Sequence, residues 1–135
     1  MTPPVRRTSV ALALAISWGS MLAHNSYELP LSPIDPENSG PLVVAMLIGL
    51  AYAARPDARA IVAAALGWGV LNLVIGGIVT VLPLPALPFA PEQSVSHYAA
   101  HVLYTAGQVP LVVLVLRGLR AEGAERFETP AGPPP

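Results

Sequence analysis

The chain has 135 residues, of which 53% are apolar and 11% charged, with seven arginines, no lysine, eight acidic residues and no cysteine. Soluble domains carry about a quarter charged residues, so this chain cannot cover itself with a charged surface and belongs with the small membrane proteins. A net charge of −1 leaves out the concentrated basic face that nucleic acid requires, and the lack of cysteine leaves out disulfides, thiolate metal centres and cysteine nucleophiles.

Taken in chain order, four apolar segments read as transmembrane helices over residues 8–24, 39–54, 58–82 and 96–117. A crossing helix needs about 20 apolar residues, with about 17 tolerated. The third and fourth segments meet this; the first two are short. Arg6 and Arg7 precede the first segment, Arg55 and Arg59 lie between the second and third, and Arg117, Arg120 and Arg126 follow the fourth. With four crossings every arginine falls on one face, and the positive-inside rule puts both termini in the cytoplasm. The predicted fold is therefore all-α, a single domain over residues 1–120 built as a four-helix transmembrane bundle in the cell membrane. A cytoplasmic tail over 121–135, charged and then proline-rich, is expected to be disordered. The first segment has a rival reading as a cleaved signal peptide, because Arg6-Arg7 precedes a short apolar run. Cleavage after Ala23 would place Met21 where a small residue is usual.

The connections fit this plan. Arg55-Pro56-Asp57-Ala58-Arg59 makes a tight turn, since Pro56 cannot continue the preceding helix. The stretch from Asn25 to Gly40 reads as an irregular outer cap, and Pro83, Pro85, Pro88 and Pro91 keep the second outer loop extended.

Polar side chains within the apolar segments are the candidate functional residues. Residues three and four apart share a helix face, which aligns His97, His101, Thr105 (or Tyr104) and Gln108 on the fourth segment. Ala65, Gly69, Asn72, Gly76 and Thr80 align on the third, and Ser17, Ser20 and His24 on the first. At about 1.5 Å per residue, Asn72 and Gln108 both fall near the midplane and are expected partners. They read as interhelical packing contacts or as the lining of a path. The same ruler brings His24, Thr80, His97 and His101 together in the outer third.

His97 and His101, at i and i+4, can reach one ion from a single helix, with His24 completing a site and Glu28 or Glu92 nearby. Imidazole with carboxylate suits zinc or copper(II), and two histidines from different helices could instead hold haem iron. No glutamate follows the first histidine, so H-E-x-x-H hydrolysis is not implied. No nucleophile elbow, P-loop or dinucleotide turn is present, and the glycines of the third segment read as close helix packing. Three functions follow. The simplest is a non-enzymatic accessory or structural membrane subunit, working in the lipid bilayer as a homo-oligomer or within a larger membrane complex, with no nucleic-acid partner. The second is a metal- or haem-binding protein using His24, His97 and His101. The third is a small oligomeric transporter or channel with Asn72 and Gln108 lining a polar path between the third and fourth helices, where Thr80 and Thr105 are further intramembrane polar contacts.

Overall fold

The structure, a computed structural model, describes residues 7–128. Arg6 and residues 129–135 of the expected tail lie outside them. The described chain folds as helices joined by loops: α1 is Arg7–Glu28, α2 Pro36–Ala54, α3 Arg59–Leu71 and α4 Val95–Glu128. Beyond Leu71, α3 continues as a π-helical stretch, Asn72–Ile78, and ends in a 3-10 turn, Val79–Val81.

Three stretches are long and apolar enough to cross a membrane: Pro36–Ala54, Arg59–Val81 and Val95–Ala121. The 22 residues of α1 would span about 33 Å, so length is sufficient. Its sequence is less oily, because Arg7, five serine and threonine side chains, His24, Asn25 and Glu28 interrupt it. α1 is a striped helix whose buried positions, among them Val10, Ser17 and Met21, recur at helical spacing.

Two boundaries differ from the expectation. The irregular outer cap is confined to residues 29–35, because α1 runs on to Glu28 and α2 already starts at Pro36. Proline suits the first helical turn, where its missing N–H costs nothing, and Asp35 spends its carboxylate on the Ser32 N–H at 2.6 Å. Asn25 of α1 then donates to Asn38 of α2 at 2.9 Å, and the Trp18 indole donates to the Asn38 carbonyl at 3.0 Å. These contacts hold the two helix ends in order. At the other end, residues 121–128 are helical where a disordered tail was expected. The alanine, glutamate and arginine there are strong helix formers, and they continue a helix already nucleated in the bundle.

α4 is the axis, with α1 and α3 packed on it and α2 resting against α1 and α3. The apolar core joins Val10, Ala13 and Leu14 of α1, Ala45 and Tyr52 of α2, Val62 and Ala65 of α3, and Leu111 and Val115 of α4. Glycines set the distance between α3 and α4. A methyl group at Gly69 would press on Leu111 and Val112, one at Gly76 would overlap the Tyr104 ring, and one at Gly77 would overlap Thr105. Gly67 faces open space, so close packing accounts for three of these four glycines. The outside is oily: Leu47, Leu50, Val102 and Leu103 are each more than 60% exposed. Apolar surface on that scale is a liability in water and ordinary solvation in lipid.

Candidate functional site at the histidine end of the bundle

α1 and α4 run antiparallel in one continuous register, pairing Glu28 with His97, Ser20 with Tyr104 and Ser17 with Gln108. α3 also opposes α4, with Gly77 beside His101, Asn72 beside Tyr104 and Gly69 beside Leu111. All three histidines consequently gather at the end where α1 stops and α4 begins, while Arg7, Arg55, Arg59, Arg117 and Arg120 lie toward the opposite end.

The deepest polar contact is made by Gln108, which is wholly buried. Its amide oxygen accepts from the Ser17 hydroxyl, and its amide nitrogen lies 3.1 Å from the Ser17 carbonyl, 3.0 Å from the Ser20 hydroxyl and 3.3 Å from the Tyr104 carbonyl. Gly107 permits this approach, since a methyl there would overlap Ser20. The expected Asn72–Gln108 pair is not formed. Gln108 faces α1, whereas Asn72 accepts from the Tyr104 hydroxyl at 2.8 Å and donates to its own helix at the Trp68 carbonyl, also 2.8 Å. Tyr104, one turn earlier on α4, has the reach to meet α3 and takes the place assigned to the glutamine. Thr80 bonds back to the Gly76 carbonyl at 2.6 Å, and Thr105 packs over Gly77; neither joins the histidines.

The histidines do come together. The ring centre of His101 lies 4.4 Å from that of His24 and 4.6 Å from that of His97, and His24 and His97 are 6.5 Å apart. His101 and His97 are buried, at 5% and 9% exposure. Glu28, rather than the exposed Glu92, supplies the carboxylate, with Oε2 at 2.6 Å from His97 Nδ1 and its side chain only 11% exposed.

The hydrogen bonds determine which ring nitrogen carries each proton. The Gly77 carbonyl can only accept, so His101 donates from Nδ1 at 3.2 Å. Glu28 likewise takes the Nδ1 proton of His97. For His24 the assignment runs through two amides. The Ser32 carbonyl accepts from Asn38 Nδ2 at 2.8 Å, which turns Asn38 Oδ1 toward Asn25 Nδ2. Asn25 Oδ1 is then left facing His24 Nδ1 at 3.1 Å, and that nitrogen donates. Each neutral ring therefore holds its lone pair on Nε2. The Nε2 atoms of His24 and His97 are buried without a hydrogen-bond partner, and each such group costs about 1–3 kcal/mol.

Among the described residues, no group of three or more histidine, aspartate or glutamate side chains could hold a metal ion, so the expected site of His24, His97 and His101 is not formed. A haem between His24 and His97 does not fit either, because the His101 ring occupies the space between them. Compared with known families, with curated proteins and with solved structures, the chain has no match.

The polar seam is blind. It runs from Glu28 and His97 through His101, His24 and Tyr104 to Gln108 and stops there, because Leu111, Val115, Val10, Ala13 and Leu14 close the bundle beyond it. An open groove lies at the opposite end, lined by Asp57, Arg59, Val62, Leu66 and Leu119. The Asn25–Asn38 amide pair and the anchoring role of the Gly77 carbonyl were not foreseen. The Ser17–Ser20–His24 stripe on α1 was the available signal for Gln108: run antiparallel to α4, it matches the α4 stripe turn for turn.

Proposed function

We propose that the chain is a four-crossing integral membrane protein of the cell membrane, with both termini in the cytoplasm, acting as a non-enzymatic accessory or structural subunit. The saturation of Gln108 by α1 carries this reading. An intramembrane amide lining a path would keep hydrogen-bonding capacity for cargo or water, whereas this one is committed to Ser17 and Ser20. The apolar core beyond it supports the same conclusion, as does the segregation of arginines away from the histidine end. Pairing its stripe with α4 would let the less oily α1 cross, since polar side chains in lipid turn toward a helix partner.

Two measurements test this. The absence of cysteine permits single-cysteine labelling in intact cells with a membrane-impermeant maleimide. Ser32→Cys and Gln93→Cys should react, and Asp57→Cys and Gly123→Cys should react only after lysis; external labelling of Asp57→Cys would overturn the topology. In proteoliposomes the purified protein should conduct neither protons nor cations. Flux that disappears on combining Asn72→Leu with Gln108→Leu, in protein that remains folded, would replace the subunit reading with a transport one.

A further inference from the structure

We propose that the groove at the arginine end binds one zwitterionic aminophospholipid, phosphatidylethanolamine, with its phosphate on Arg59 and its ammonium on Asp57. This goes beyond the subunit reading and rests on the chain lying in a bilayer. It does not depend on which face of the membrane holds the arginines.

The first argument is how the groove is graded. It lies between the start of α3 and the end of α4 and offers about 340 Å³, at the lower end of the range for small-ligand pockets. Along α3 its lining passes from Asp57 and Arg59 to Val62 and Leu66, and Arg59 to Leu66 covers about 10 Å of helix. On α4 the lining is Leu119 and Gly123. With Gly69 beside Leu111 and the two helices antiparallel, Leu119 falls level with Ile61 and Gly123 level with Asp57. The groove therefore changes from charged to apolar along the bundle axis, as a bilayer leaflet changes from headgroup to chain. It can seat a headgroup and the first part of one acyl chain, the rest staying in the lipid.

The second argument is charge. Among the described residues the ion pair is His97 with Glu28, at the far end. Asp57 and Arg59, two residues apart and both exposed, are joined neither to each other nor to another charge. A purely anionic headgroup would answer Arg59 and set a phosphate against Asp57. A headgroup that carries phosphate and ammonium, two carbons apart, answers both. Guanidinium grips phosphate through two parallel N–H bonds, and a primary ammonium has N–H groups to give a carboxylate. The quaternary ammonium of phosphatidylcholine has none.

The third argument is room at the headgroup level. A methyl group built on Gly123 meets nothing within 4 Å, so α4 presents no side chain where the headgroup would sit.

The test uses the full chain in mild detergent, delipidated by detergent exchange. Phosphatidylethanolamine, phosphatidylcholine and phosphatidylglycerol with identical acyl chains are added separately, and retained lipid is counted by native mass spectrometry. The wild type should retain one phosphatidylethanolamine, about 10-fold more tightly than either of the others, the scale of one charged hydrogen bond. Arg59→Gln should weaken its retention about 10-fold. Asp57→Asn should erase the preference over phosphatidylglycerol. Gly123→Leu should fill the groove and lower retention of all three lipids, and Arg117→Gln, at the same end but outside the groove, should change nothing. Size-exclusion elution and thermal melting of each variant report folding separately. Folded wild type that retains no phosphatidylethanolamine, or that retains the other lipids equally well, would overturn the site, as would retention unchanged in both Arg59→Gln and Gly123→Leu. A chain that stays soluble without detergent would instead overturn the membrane reading. External labelling of Asp57→Cys would reverse the topology and leave the site intact in the other leaflet.

Discussion

The two halves of this bundle are held together differently. Toward the arginine end α1 and α4 meet through Val10, Ala13, Leu14, Leu111 and Val115, a set with no polar atom outside the backbone. Toward the histidine end the same two helices meet through Ser17, Ser20, Glu28, His97, Tyr104 and Gln108. In lipid the apolar half gains little from hiding its side chains, because the tails outside are equally oily, so shape fit must hold it. The polar half is held by hydrogen bonds that fix register and orientation, each modest in energy.

That contrast ranks the outcomes of mutation, read as equilibrium unfolding in mixed micelles. Leu111→Ala, at a wholly buried position, should cost most, about 2–5 kcal/mol, because it opens a cavity the helices cannot collapse around. Gly76→Val should follow at about 1–3 kcal/mol by driving a branched side chain into Tyr104. Gln108→Leu should cost about 1–2 kcal/mol, the scale of a few interhelical hydrogen bonds. Leu47→Ala, 62% exposed on α2, should stay within about 0.5 kcal/mol. If Gln108→Leu proved more damaging than Leu111→Ala, hydrogen bonding rather than shape would be the main tie, and the division between the halves would fail. The comparison sharpens if Glu28→Gln, which weakens the tie to His97 in the polar half, moves the melting temperature far less than Leu111→Ala.

Much of this was legible in the residues. Hydropathy located α2, α3 and α4, and helical spacing placed His97, His101, Thr105 (or Tyr104) and Gln108 on one face, of which the structure turns Tyr104 toward Asn72 and packs Thr105 over Gly77. The meeting of the three histidines also followed from helix length, since rise per residue is nearly invariant. The ruler failed on rotation. Depth alone does not say which neighbour a side chain faces, so Gln108 was matched by height with Asn72 when its azimuth points to α1. The end of α1 was misjudged because proline and acidic residues between Asn25 and Gly40 suggest loop, although Asn25–Glu28 and Pro36–Gly40 complete the two helices once the Asn25–Asn38 bond ties them. The Gly77 carbonyl could not have been found in advance. It lies in the π-helical stretch Asn72–Ile78, and no side chain announces it.

The bond between Ser17 and Gln108 joins residues 91 positions apart, and this has a consequence for biogenesis. α1 leaves the ribosome before α4, yet the Ser17 hydroxyl meets Gln108 only once α4 has been translated. In the four-crossing arrangement proposed above, α1 would wait at the translocon or the membrane surface, or be held by a chaperone, until α4 arrives. A ribosome stalled before residue 95 should leave α1 extractable by alkali, and synthesis through residue 117 should lock it in place.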